Sequence, residues 1–182
     1  MRRIAIAAAA CAASSILAAG AAGAFGSAHS RSAATNSSLA FDENYLSTSI
    51  QGDRFEIAGG KLALQKSQNA TVRQLATTLI TDHSKSLRES KTLANALHTA
   101  IPHSPSFSQT WELKVVSSFS GAEFDRWYSD LEVQDHKQDI AETSDEIHKG
   151  RQPHVRLSAR RELPVLKKHL QLSKAALKAA GG

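Results

Sequence analysis

The stretch VRQLATTLITDHSKSL, residues 72–87, decides the fold class of this chain. From its first residue onward, positions 72, 76, 79, 83, 86, 90, 93 and 97 alternate steps of four and three, the spacing of side chains on one face of a helix in a bundle. Most of these positions are apolar or small, but the fourth is His83. A buried polar group without a partner costs about 1–3 kcal/mol, so this imidazole must find a partner on another helix. The stretch therefore predicts a helical bundle with a polar position inside.

The same spacing recurs along the chain, and the sequence has no long strand-like alternation of polar and apolar residues. We predict long helices over residues 42–66, 70–99, 121–150 and 153–179, and a short helix over 108–118 that caps one end of the bundle. The predicted fold is therefore all-α, a four-helix bundle with a short extra helix in the connection between helices two and three.

Local features add three expectations within these helices. Ser120 and Glu123 have the spacing of a capping box at the start of the third long helix. The same helix has an aromatic face, which includes Trp127 and which we expect to point inward. Gly52 and Gly59 share one face of the first helix, so we expect a neighbouring helix to come close to both.

The N-terminal segment is typical of an export signal. Arg2 and Arg3 precede an uncharged run rich in Ala, Ile and Leu that ends in small residues. We assign residues 1–24 to a signal peptide, 25–40 to a flexible linker rich in Ser and Ala, and 41–180 to the bundle domain. A membrane anchor is the alternative, but the Ala and Gly content makes this segment a weak spanning helix. We expect an exported, periplasmic protein, with outer-membrane association as a variant, and no membrane span in the mature chain.

Charge and motif content argue against two classes of function. Without Arg2 and Arg3 the 22 basic residues fall to 20, against 17 acidic ones, and no aromatic residues interleave the basic C-terminal third. We therefore expect no nucleic-acid partner.

The single cysteine, Cys11, lies in the predicted signal peptide, and no Gly-x-Ser-x-Gly sequence is present. Hydrolysis by a nucleophile is not supported, and whether the protein is an enzyme stays open, with a non-catalytic role favoured.

A recurring histidine pattern gives the candidate site. Three of the predicted helices carry an apolar residue three positions before a histidine, and the first helix contributes a glutamate on its inward face. The candidate metal ligands are Glu56, His83, His136 and His169, and the candidate supporting groups are Asp82, Glu132 and Asp135. Imidazoles and carboxylates from facing helices of a bundle can hold one transition metal, such as iron, manganese or zinc. The alternatives are a hydrogen-bonded network without metal and a set of histidines that loosens the core when protonated near pH 6.

Four blocks in order along the chain resemble the bacterial "domain of unknown function 4142" family, DUF4142. They are Glu56 with Gly60-Lys61-Leu62-Ala63, Val72-Arg73-x-Leu75-Ala76 with Asp82-His83, Phe124-Asp125-Arg126-x-Tyr128 with Asp135-His136, and Leu163-Pro164-x-Leu166 with His169-Leu170. The resemblance covers about residues 41–172. It implies a ferritin-like four-helix bundle in the cell envelope and supplies no established activity.

The chain departs from the di-iron members of the ferritin-like superfamily, because it contains no Glu-x-x-His sequence. A carboxylate-bridged pair of irons is therefore not expected. Two functions stay open: a non-catalytic envelope protein for stress tolerance or partner binding, and a metal-binding bundle protein that handles iron, manganese or oxidants.

Overall fold

The computed structural model describes residues 27–182, and it describes side chains from residue 39 onward. Its helices are α1 (Ser27–Lys66), α2 (Ala70–Ala96), α3 (Phe107–Ser117), α4 (Gly121–Lys149) and α5 (Pro153–Ala179). No strand is present between residues 27 and 182, so the predicted all-α bundle is confirmed.

The four long helices form two antiparallel pairs, α1 with α2 and α4 with α5, which meet through α2 on α5 and α1 on α4. Two apolar clusters give the directions. A first cluster contains Ala63, Leu75, Leu79, Phe124 and Ala176 among its members, and a second contains Leu46, Ile50, Ala94 and Val155. Helices α1 and α5 each run from the second cluster to the first, and α2 runs from the first cluster to the second. The N-terminal part of α4 lies in the first cluster, so α4 runs away from that cluster. Therefore α2 and α4 run in the same direction, joined by one long crossover that carries α3, as in ferritin-like bundles.

The start of α1 differs from the sequence prediction. Residues 27–40 are helical and continue without a break into the rest of α1, where the sequence analysis predicts a flexible linker over 25–40. Residues 27–51 contain neither Gly nor Pro, so nothing in them stops a helix that packing fixes further on. The predicted signal peptide, residues 1–24, lies outside the described residues.

The capping box lies one helix earlier than predicted. The Ser106 hydroxyl accepts a hydrogen bond from the Gln109 N–H at 3.2 Å, and the Gln109 side chain accepts one from the Ser106 N–H at 2.9 Å, at the start of α3. Ser120 is the N-cap of α4, but within the described residues its side chain makes no capping hydrogen bond. The Ser-x-x-Glu spacing at 120–123 was therefore a false positive, because spacing alone does not fix the backbone geometry that a cap needs.

The position of α3 also corrects an expectation. It lies along the side of the bundle, over the groove between α1 and α4, rather than over one end. Lys66 at the end of α1 donates to the Ser117 carbonyl at 2.6 Å, and Val116 joins the first apolar cluster. Trp127 is 41% exposed and stacks on Phe119, so it does not belong to the inward face of α4.

No helix in the described part of the chain is both long and apolar enough to cross a membrane.

Candidate metal centre

Three imidazole rings meet between the two apolar clusters. The ring centroids of His83 on α2 and His169 on α5 lie 5.2 Å apart, and the ring of His136 on α4 lies 5.8 Å from the first and 5.3 Å from the second. None of the three residues is more than 3% exposed. Each histidine lies on a different helix, so the three rings come together only when the whole bundle is packed.

Each imidazole is held through one ring nitrogen. His83 Nδ1 donates to Asp53 Oδ1 at 2.9 Å, and His169 Nε2 donates to Asp82 Oδ2 at 3.0 Å. His136 Nδ1 donates to the backbone carbonyl of Glu132 at 2.9 Å. An acceptor on one nitrogen fixes the tautomer and leaves the lone pair on the other nitrogen free, which is the usual arrangement around histidine ligands of metals.

The opposite nitrogens point to a ligand. Within the described residues, His83 Nε2, His136 Nε2 and His169 Nδ1 are buried and have no hydrogen-bond partner. One ring nitrogen from each histidine lies within 4.8 Å of the others. Buried polar atoms are nearly always satisfied, so three orphaned nitrogens in one place call for an explanation, such as a bound ion.

A carboxylate layer adjoins His136. Its Nδ1 lies 3.7 Å from Glu56 Oε1 on α1 and 3.8 Å from Glu132 Oε2 one helical turn away. Both glutamates are 0% exposed, and among the described residues none of their four carboxylate oxygens has a hydrogen-bond partner, nor has the buried Tyr128 hydroxyl. Glu56, Glu132 and His136 thus form a second group whose ligand atoms lie within 4.8 Å of one another.

Burial governs the protonation of these carboxyl groups. Burial and then the charges of Glu132 and Asp135 raise the pKa of Glu56 well above its usual value. Burial, together with the charge of Asp135, raises the pKa of Glu132 to about 7, against the lowering effect of the neighbouring Glu56 carboxyl group. Burial therefore favours the protonated form of both glutamates, and a cation beside them would displace those protons.

The histidines divide into two kinds. Burial and the neighbouring imidazoles lower the pKa of His136 to about 3, and burial lowers that of His169 to about 4 despite its hydrogen bond to Asp82. These two rings are neutral at pH 7, the form that binds metals. For His83, burial acts to lower the pKa, but the hydrogen bond and the charge of Asp53 outweigh it, so the pKa is raised.

The structure brings together all four side chains predicted as ligands, Glu56, His83, His136 and His169, although their role as ligands stays a prediction. The supporting groups differ from the sequence expectation. Asp82 bonds to His169 on α5 rather than to its neighbour His83. Successive residues on a helix point about 100° apart, so the Asp-His pairs at 82–83 and 135–136 are not pairs in space.

Glu132 supports His136 through its backbone carbonyl, whereas its carboxylate faces Glu56. Asp135 is half-buried and lines an outer cavity between α1, α3 and α4, close enough to Glu56 to raise the pKa of that carboxyl group. Sequence reasoning missed Asp53, the partner of His83. The available signal was its position three residues before Glu56, which places the two carboxylates on one helix face.

The donor set suits a transition metal. Imidazole nitrogens favour zinc, iron and other first-row metals, and carboxylate oxygens add affinity for iron and manganese. His83, His136 and His169 would hold the ion, and Glu56 and Glu132 lie near the other ring nitrogen of His136, Nδ1. Bound there, the metal would act as a Lewis acid, and iron or manganese would also exchange electrons.

Fold and site together define an all-α bundle protein with a buried histidine–carboxylate centre. The chain belongs to the DUF4142 family, described as a domain of unknown function, whose profile matches residues 27–176. Searches of curated proteins and of solved structures found no significant match.

Proposed function

We propose that this protein binds one transition-metal ion through His83, His136 and His169, and that Glu56 and Glu132, which lie near Nδ1 of His136, support that ring. The observation that carries the proposal is the set of three buried ring nitrogens that lack partners among the described residues while the opposite nitrogens are held by acceptors. A structural histidine normally has both nitrogens satisfied, so the arrangement resembles ligands already oriented for an ion.

Iron, manganese and zinc are the candidate ions. Zinc would stabilise the bundle without redox chemistry, whereas iron or manganese would allow the protein to react with oxidants. Three imidazole ligands suit zinc and iron, whereas manganese prefers oxygen ligands, so zinc and iron fit the three histidines best.

The direct test is the metal content of the purified protein, measured by mass spectrometry together with titration of the metal-free form. We expect about one ion per chain, and His83→Ala, His136→Ala and His169→Ala should each lose it. His103→Ala is the matched control, because His103 lies in an exposed loop. A folded protein that takes up none of the three metals, or His→Ala variants that retain it, would overturn the proposal.

A second candidate function is a non-catalytic protein for stress tolerance or partner binding, in which the same groups form a metal-free network. The raised pKa values of Glu56 and Glu132 favour it, because neutral carboxyl groups can donate hydrogen bonds to one another. This candidate predicts that Glu56→Gln leaves the melting temperature nearly unchanged and that no variant changes metal content.

We also propose export to the cell envelope and membership of the ferritin-like superfamily. Export rests on the sequence of residues 1–24, and an envelope partner would follow from that location. Superfamily membership rests on the single crossover between α2 and α4. Cell fractionation with sequencing of the mature N-terminus tests export: a protein that stays in the cytoplasm with residues 1–24 attached would contradict it.

A further inference from the structure

A small polar cavity adjoins the imidazole of His83 on the side away from the carboxylate layer. It has a volume of about 20 Å³, room for about one water-sized particle, and lies between α1, α2, α4 and α5. Its lining extends from the buried Asp53 and His83 to the half-buried Glu142 and Glu162. The cavity therefore connects the interior of the bundle with groups near its surface.

Gly52 leaves this space open. A Cβ atom built at residue 52 would meet no atom within 4 Å, whereas one built at Gly59, two turns further along α1, would lie 3.4 Å from Glu132 and Leu113. The close helix contact predicted for both glycines therefore exists at Gly59 and is absent at Gly52. At residue 52 the missing side chain faces the cavity instead.

The chemistry of the lining selects for cations. Asp53, Asp139, Glu142 and Glu162 all line the cavity, and no described residue in its lining is Lys or Arg. Two lining residues also have orphaned atoms: Asp53 and His83 are each 3% exposed, and among the described residues Asp53 Oδ2 and His83 Nε2 have no hydrogen-bond partner. An acidic, narrow space, lined by two buried residues that carry a carboxylate oxygen and an imidazole nitrogen without partners, fits a small divalent cation.

We propose that this cavity is the access route by which a divalent transition-metal ion reaches the three imidazoles, and that Glu162 and then Asp53 hold the ion on its way. The inference rests on the proposed function, because the route has a purpose only if the imidazoles bind a metal. Carboxylate oxygens replace the water molecules that the ion loses in a space of this size. An acidic lining also favours cations over anions, because a cation displaces the protons that buried carboxyl groups retain.

The test is the rate of metal uptake by the full-length protein after it has been freed of metal. Co²⁺ serves as the probe, because its visible absorption changes when imidazoles replace water, and stopped-flow mixing gives the rate. Gly52→Ala is the main variant, since its methyl group fits without a clash and fills the space of one water-sized particle. We expect uptake at least tenfold slower than in the wild type, with the equilibrium affinity for Co²⁺ within threefold of the wild-type value.

Glu162→Gln tests the charge of the route without filling it. We expect uptake several-fold slower at low salt and a difference that disappears near 1 M salt, where charges are screened over about 3 Å. Asp145→Asn removes the same charge from an exposed site outside the cavity and should leave the rate unchanged.

If the wild type binds Co²⁺ but Gly52→Ala and Glu162→Gln both take it up at the wild-type rate, the route is wrong and the metal centre stands. If the wild type binds no Co²⁺ at equilibrium, the centre and the route are both wrong.

Discussion

The middle of the bundle and its two apolar clusters differ in how their buried side chains are satisfied. In the clusters, residues such as Leu75, Leu79 and Phe124 are at most 1% exposed and pack against other apolar side chains. In the layer between them, Glu56, Glu132 and the three histidines are buried just as deeply, yet many of their polar atoms lack partners in the described part of the molecule.

The difference separates stability from function. Burial of apolar area stabilises a fold by about 25 cal/mol per Å², whereas each unsatisfied buried polar group costs free energy. A polar layer of this kind is therefore not the most stable filling for the interior. The polar layer is explained if a ligand satisfies its unpartnered atoms. We therefore expect the stability of the apolar clusters to depend on packing, and the stability of the middle layer to depend on a bound metal.

The largest expected effect is in the first apolar cluster. Leu79→Ala should lower the free energy of unfolding by about 2–5 kcal/mol, since it leaves a cavity one turn from His83. Urea denaturation measures this, and Thr81→Ala, on the exposed side of the same helix, should change stability by no more than about 0.5 kcal/mol. Equal effects of the two variants would show that the cluster does not carry the stability.

The middle layer should gain stability only from its ligand. A metal at 100 times its dissociation constant should stabilise the protein by about 2.7 kcal/mol, a rise in melting temperature of roughly 5–10 °C. Calorimetry with and without zinc measures the shift. The same experiment on His136→Ala should show no shift, and a shift that persists there would place the metal elsewhere.

Helix contacts should respond to added methyl groups in opposite ways at two glycines of α1. A Cβ at Gly60 would lie 2.7 Å from Ile80 Cγ1 and 3.0 Å from the backbone oxygen of Ala76, so Gly60→Ala should cost about 1–3 kcal/mol. Gly52→Ala should instead stabilise by about 0.4–1 kcal/mol, because the site is open and alanine favours the helix. Denaturation curves of the two variants check this, and the same sign for both would contradict the close contact between α1 and α2.

A buried carboxyl outside both regions should make stability depend on pH. Burial and then the charge of Asp42 raise the pKa of Glu146 to about 8. The folded state then binds more protons than the unfolded state between about pH 4.5 and pH 8, so stability falls as pH rises through this range. The slope for one proton is at most about 1.4 kcal/mol per pH unit.

Glu146→Gln should remove this part of the pH dependence. Melting temperatures of both proteins from pH 5 to pH 8 measure it, and the variant should be the more stable one at pH 8. Asp145→Asn, which changes an exposed neighbour, should retain the wild-type slope. Parallel curves for the wild type and Glu146→Gln would contradict the raised pKa.

The smallest effect concerns two serines at helix starts. Ser106→Ala should cost about 1 kcal/mol, because it removes the capping hydrogen bond to Gln109 at the start of α3. Ser120→Ala should cost much less, since that hydroxyl does not cap α4 within the described structure. Chemical denaturation of the two variants measures both costs. Equal costs would show that Ser120 caps α4 as the spacing of residues 120–123 predicts.

The sequence by itself determined the class of the fold and most helix limits. The four-three spacing and the breaks near Pro102, Pro105 and Gly150 are local properties, because they depend on the 3.6-residue period and on backbone groups that a helix requires. The same periodicity placed His83, His136, His169 and Glu56 on inward faces. The sequence did not predict where α1 begins, because a stretch rich in Ser and Ala is compatible both with a linker and with an extension of a packed helix.

Only the tertiary structure decided which groups act together. Two hydrogen bonds join different helices, one between Asp53 and His83 and one between Asp82 and His169. These pairings, and the open space at Gly52, depend on the rotation and height of each helix in the bundle. A one-dimensional pattern gives the inward face of a helix but not the residue opposite it. The partners of the imidazoles, and the cavity beside them, follow from packing because side-chain contacts between helices are set by shape rather than by spacing along the chain.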